Sequence, residues 1–135
     1  MPFEKEMKEL EQRRAKALQM GGSDKIKKQH DQGKLTARER IDHLLDKDSF
    51  LEVGMFNHSD IPGMEDKTAA DSKIAGFGKI EGRQVAIVSN DFTVLAATSS
   101  RIAGRKEAEL KALAARRGYP ARRQRFAVGG AFDST

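Results

Sequence analysis

Two apolar runs separated by only two residues constrain this chain most. Ile74 to Ile80 alternates with Gly76 and Gly78, Arg83 to Ser89 carries Val85-Ala86-Ile87-Val88, and Glu81-Gly82 lies between them. That pattern predicts a β-hairpin, with the glycine supplying the positive φ of a two-residue turn. The second run is apolar at both parities, which predicts a strand covered on both faces. After Asp91-Phe92-Thr93-Val94-Leu95, the small residues Ala96, Ala97, Thr98, Ser99 and Ser100 lead into a helix from about Ile102 to Arg117. Its buried stripe is Ile102, Ala103, Leu110, Leu113 and Ala114; Gly118 ends it and Pro120 prevents continuation. A strand, a helix and a returning strand make a right-handed crossover, so Ala121 to Val128 should be the return strand. It reads ARRQRFAV, with four charged or amide side chains in a row, and the expectation is that the unit lacks a credible closing strand.

Upstream, residues 3 to 19 read as an amphipathic helix with Phe3, Met7, Leu10, Ala17 and Leu18 on one stripe, stopped by Gly21 and Gly22. A second short helix starts at Ser23 or Asp24 and runs out near Gly33. In LTARERIDHLLD, Thr36 and Glu39 form a capping box, each side chain satisfying an orphan donor of the first turn, and Ala37, Ile41, Leu44 and Leu45 share a face. A short apolar piece, Phe50 to Phe56, follows. Asn57 to Ser72 reads as a loop of about 15 residues, long enough for a binding or mobile segment.

Charge is uneven. Arg101 to Arg125 holds nine Lys or Arg and two Glu, and the rest of the chain has 16 basic against 18 acidic groups. A basic C-terminal third suits phosphate-bearing partners, whether nucleic acid or the phosphates of a coenzyme A, or is simply a solvated helix face. Tyr119 is the one aromatic in the Arg-rich stretch, too few for a stacking platform, so nucleic acid is a minor reading. With no Cys, thiolate metal sites and cysteine nucleophiles are excluded. No run reaches the ~18 apolar residues of a membrane helix. The N-terminus MPFEKEMKEL has no signal-peptide core, and the expected compartment is the cytoplasm, or the mitochondrial matrix for eukaryotic relatives.

Side-chain catalysis finds little purchase. His30, His43 and His58 have no ligand partner at helical spacing, so no metal is expected, and His43 reads as structural. No GxSxG elbow occurs, and Gly76-Phe77-Gly78 is not followed by a helix. Two features remain. Ala96 to Ser99, between a buried strand and a helix, offers unblocked backbone N–H groups suited to an anion or oxyanion, or makes a plain small-residue turn. Gly129-Gly130-Ala131 offers a second set of amides for an enolate oxygen, or is a flexible tail pair.

LTARERIDHLLDKDSFLEVG (Leu35 to Gly54) and GFGKIEGRQVAIVSNDFTVLAATSS (Gly76 to Ser100) closely resemble the β-type carboxyltransferase subunit of biotin-dependent acyl-CoA carboxylases, the propionyl-CoA and methylcrotonyl-CoA group. The preceding helix and GRKEAELKALAARRGYP also fit, so the resemblance runs from about Met7 to Pro120. It implies an α/β (α+β) fold, a crotonase/ClpP-like ββα superhelix. This chain would hold its incomplete N-terminal portion: a helical segment over 1–50, the start of the acyl-CoA carboxyltransferase domain over 51–120, and a basic, Gly-bearing tail over 121–135. It also implies transfer of a carboxyl group from carboxybiotin to the α-carbon of an acyl-CoA. Carboxybiotin releases CO2, the ureido nitrogen takes the α-proton, and backbone amides hold the enolate oxygen, which accounts for the missing triad. No cofactor is covalently bound; carboxybiotin arrives as co-substrate on a carrier protein. Partners implied are the acyl-CoA, the biotin carboxylase and biotin carrier subunit, and further copies in a homo-oligomer.

By that resemblance Ala96, Ala97, Thr98 and Ser99 stand where the family has a Gly-Gly-Ser segment facing the CoA thioester. Gly129 and Gly130 stand for its oxyanion amides, with Phe132 where the family has Arg. The expectation is a fragment whose reading frame shifts just after Pro120, inactive by itself. The alternative is a non-catalytic homologue that docks onto full-length carboxyltransferase subunits through the apolar faces of its first and third helices.

Overall fold

A computed structural model of the chain describes residues 2–94 and 101–124. Three helices come first, α1 (Glu4–Leu18), α2 (Ser23–Asp31) and α3 (Ala37–Leu44), followed by a short strand β1 (Leu51–Val53). A loop with two 3-10 turns, Glu65–Lys67 and Ala69–Ser72, leads into the hairpin β2 (Lys73–Ile80) and β3 (Arg83–Asn90), then helix α4 (Arg101–Arg117) and strand β4 (Ala121–Gln124). The sheet order is β1-β2-β3-β4, with β1 and β2 antiparallel to their neighbours and β4 parallel to β3.

The hairpin turn is as the sequence predicts. Glu81 (φ 50°) and Gly82 (φ 79°) both lie in the left-handed region, the geometry whose twist matches the flanking strands. The Asp46 carboxylate accepts hydrogen bonds from both turn amides, at 3.0 Å from Glu81 and 2.8 Å from Gly82, so the end of α3 is hooked to the hairpin tip.

The alternation of β3 divides its side chains between two cores. Val85 and Ile87 pack with Ile74 against Ala37, Ile41 and Leu45 of the α3 region, while Ala86 and Val88 pack with Ala75 against Leu110 and Ala114 of α4. The sheet therefore sits between α3 and α4. Fully burying one such Ile or Val contributes about 1.5–3 kcal/mol. Thr36 caps α3 through its hydroxyl, 3.2 Å from the Glu39 amide. The reciprocal half of the expected capping box is replaced, because the Glu39 carboxylate turns to His30 Nε2 at 2.6 Å. His43, expected to be structural beside the apolar face, is exposed in the last turn of α3.

Two expectations are corrected. The sequence argued against a closing strand after Pro120, yet Ala121–Gln124 pairs with Ala86–Ser89 in register, and the Pro120 carbonyl accepts from the Ala86 amide at 2.9 Å. Strand pairing uses main-chain groups, and β4 is the last strand of the described sheet. Ala121 packs on the α4 side, and main-chain pairing at this last described strand accommodates the polar run. The apolar face of α3, expected to be free for docking, is covered: Ala37 and Ile41 are fully buried under the hairpin. The face of α1 remains open, with Phe3 68%, Met7 55% and Leu18 52% exposed. Among the described residues no helix is long and apolar enough to cross a membrane.

Candidate functional site

β3 delivers the chain to a tightly tied turn, Asp91 to Val94, just before the small-residue segment singled out from sequence. Asp91 is buried, and its Oδ1 accepts from the Thr93 amide at 2.9 Å and the Thr93 hydroxyl at 2.6 Å, a side-chain-built turn. Thr93 Oγ1 in turn accepts from the Gly21 amide at 3.0 Å. The approach is close enough that a β-carbon on Gly21 would run into the Thr93 carbonyl, so the α1–α2 junction needs glycine there. From the other side, the fully buried Arg40 of α3 donates from Nη2 to the Asn90 carbonyl at 2.6 Å, and the Asp91 amide donates to the Ser72 carbonyl at 2.8 Å. Three separate pieces of chain thus fix the exit of β3.

The electrostatics follow from burial. Burial pushes the Asp91 carboxyl above its ordinary range, opposed by its bonds from Thr93 and the charges of Arg38 and Arg40. Burial likewise lowers the Arg40 guanidinium to about 10, with Asp91 pulling it back up. Arg38 makes a two-point pair with Glu52, at 2.7 and 3.1 Å.

A second buried polar layer joins α4 to the start of the hairpin. Lys106 donates from Nζ to the carbonyls of Ala70 (2.7 Å) and Lys73 (2.6 Å), and burial lowers its ammonium to about 8 despite Glu52 and Asp71. Lys73 lies 3.0 Å from both Asn90 Oδ1 and Glu107 Oε2. The segment that Lys106 grips is unusual, since Ala70, Asp71 and Ser72 all have positive φ (51°, 49° and 60°). Three consecutive non-glycine residues in this region are costly and persist only where surrounding contacts hold them.

Beside the tied exit lies a cleft of about 580 Å³, lined by Met20, Gly21, Met55, Phe56, Asn57 and Ala70 among others. It is part apolar, part polar, and shares Gly21 with the Thr93 contact. The proposed site residues Ala96, Ala97, Thr98, Ser99, Gly129 and Gly130 all lie outside the described residues. The described structure places the two ends of the first segment: Val94, buried, and Arg101, the start of α4.

Sequence reasoning missed Arg40, Asp91, Lys73, Lys106 and Glu107. A usable signal existed for two of them. Lys106 and Glu107 fill the gap in the stripe between Ala103 and Leu110, at the three- and four-residue steps of a buried helix face.

Comparison with known proteins adds a consistent likeness. The carboxyl transferase domain family matches residues 28–132, reaching beyond Pro120 through β4. The propionyl-CoA carboxylase beta chain of Roseobacter denitrificans is 43% identical over 117 residues, covering 84% of this chain and 23% of that one. The propionyl-CoA carboxylase carboxyltransferase subunit of Haloferax mediterranei is 41% identical over 111 residues, covering 78% and 21%. Among solved structures, a transcarboxylase 12S with methylmalonyl-coenzyme A and methylmalonic acid bound superposes with a TM-score of 0.85 at 37% identity, over 95% of this chain and 26% of that one. A single-chain, multi-domain long-chain acyl-CoA carboxylase gives a TM-score of 0.82 at 32% identity, over 88% and 14%. The chain spans about a quarter of the length of the curated relatives it matches.

Proposed function

Because this chain belongs to the carboxyl transferase domain family, we propose that it supplies the acyl-CoA-facing wall of a carboxyltransferase site, the one that receives a carboxyl group from carboxybiotin. Its single ββα unit, with β4 alongside β3, is the first turn of the superhelix expected of the longer relatives. The observation that carries this reading is the tied exit of β3. Gly21, Arg40 and Ser72 fix the Asp91–Thr93 turn from three directions, which holds the entry to Ala96–Ser99 rigid beside the cleft. Preorganised amides are effective only when their support does not move as charge develops.

In this reading the backbone N–H groups of Ala96 to Ser99 bind the thioester end of the acyl-CoA, and those of Gly129 and Gly130 hold the enolate oxygen. Carboxybiotin arrives on a carrier protein from a biotin carboxylase partner. The N–carboxyl bond of carboxybiotin breaks to release CO2, the freed ureido nitrogen takes the α-proton, and the enolate carbon so formed bonds to the CO2. The relatives associated with this chemistry are about four times longer. The 135-residue chain by itself is therefore expected to bind propionyl-CoA without turning it over.

A steady-state assay with carboxybiotin and propionyl-CoA, beside equilibrium dialysis of the acyl-CoA, tests both halves. Saturable binding with no malonyl-type product is the expected result. Absence of binding, or turnover by the chain alone, overturns the reading.

A further inference from the structure

The buried Lys106 of α4 donates from Nζ to the carbonyls of Ala70 at 2.7 Å and Lys73 at 2.6 Å. Those two carbonyls bracket the left-handed run Ala70, Asp71 and Ser72, so one side chain grips both ends of a turn that needs outside contacts to persist. Room for its stem comes from Gly54, where φ is 67° and a β-carbon would collide with Lys106 Cε. The gripped turn meets the candidate site twice. Ala70 lines the cleft, and the Ser72 carbonyl accepts the Asp91 amide at 2.8 Å, one of the ties on the exit of β3.

Four charged side chains from other elements act on Lys106. Glu52 of β1 and Asp71 of the turn favour its charge, while Arg38 of α3 and Lys73 of β2 oppose it. Glu107, next along α4, is taken up by Lys73 and Lys111. Burial outweighs them all and lowers the ammonium to about 8. The grip survives loss of the proton, because a neutral amine keeps two N–H donors for the two carbonyls that face it. The ammonium adds a third donor and a charge withdrawn from water. Released into solvent, the side chain regains its ordinary value of 10.5. Above about pH 8, release therefore takes up a proton that the gripped state does not hold, and becomes harder as pH rises.

We propose that Lys106 is a pH-dependent clamp on the cleft: the Ala70–Ser72 wall and its tie to Asp91 open more readily while Lys106 is protonated, and close more firmly as it loses its proton. The proposal goes beyond the acyl-CoA reading and does not require it.

Amide exchange of the whole 135-residue chain, resolved by NMR between pH 7 and pH 9, tests it. After correction for intrinsic rates, protection of the Asp71 and Asp91 amides, which donate to the Thr68 and Ser72 carbonyls, is expected to rise about tenfold over that range. Both are expected to stay below the best-protected amides of β3, the mark of a local opening. Glu81 and Gly82, tied to Asp46 at the far hairpin tip, are expected to stay constant. In Lys106→Met the rise is expected to vanish, and the wild-type series decides alone where that variant does not fold. Four results overturn the proposal: protection at Asp71 and Asp91 flat with pH, a rise of equal size at the hairpin tip, protection equal to that of central β3, or a rise that persists in Lys106→Met.

Discussion

The Gly21 amide donates to the Thr93 hydroxyl at 3.0 Å, joining the end of the first helix to the end of the central strand across 72 residues of sequence. The same approach leaves no room for a side chain at Gly21. Gly21→Ala is expected to lower stability by about 2–3 kcal/mol, because the obstacle is main chain and cannot swing aside. Gly104→Ala is the matched control. Gly104 is helical, exposed and meets nothing, so alanine there is expected to raise stability by about 0.5–1 kcal/mol. Urea unfolding of the two variants checks both signs.

Arg40 is buried against the Asn90 carbonyl and close to Asp91. Arg40→Ala leaves the Asn90 carbonyl without its donor and the buried Asp91 carboxyl with the Arg38 charge alone. The expected loss is about 3–5 kcal/mol, the cost of breaking a buried charged contact from one side. Arg83→Ala, on the exposed outer end of β3, is expected to change stability by less than about 0.5 kcal/mol. Equal losses at the two sites, in the same unfolding experiment, contradict the assignment of Arg40 as a tie.

Lys106 gives the pH dependence. Its ammonium is lowered from 10.5 to about 8 in the folded chain. Between those values the unfolded chain holds a proton that the folded one does not, so this group makes stability rise with pH across that window. The stability difference between the wild type and Lys106→Met is expected to move in favour of the wild type by roughly 2 kcal/mol from pH 7 to pH 10. A difference that stays constant over that range refutes the shift.

The hairpin turn can be improved. Glu81 carries φ 50° as a long-chain residue, whereas asparagine adopts that region more readily and Asn-Gly is the favoured pair for this turn. Glu81→Asn keeps the backbone bond to Asp46 and is expected to add about 0.5–1 kcal/mol, read as a rise in Tm.

What could be read from the sequence was local and main-chain in character. Glu81-Gly82 names its own turn, Thr36 its own cap, and the two parities of Val85 to Val88 their two covered faces. The buried ions were legible only in part: the α4 stripe marks Lys106 and Glu107 as facing inward, but Arg, Lys and Asp are seldom buried and nothing in a linear chain brings Arg40 to Asp91 or Lys106 to Ala70. β4 was misjudged because Arg122, Arg123 and Gln124 are poor core residues, while an outer strand asks mainly for main-chain pairing. The apolar stripe on α1, read from the sequence as amphipathic, is open except at Ala17. For the proposed site the structure supplies the frame, Thr93 and Val94 on one side and Arg101 on the other.

The measurement that bears most directly on the acyl-CoA reading is an amide-resolved NMR titration of the isotopically labelled chain with propionyl-CoA. The account expects saturable shifts at Gly21, Thr93 and Ala96 to Ser99, with the Asp46–Glu81–Gly82 contact at the far hairpin tip unmoved. Shifts absent from the first group, or spread evenly over both, would contradict it.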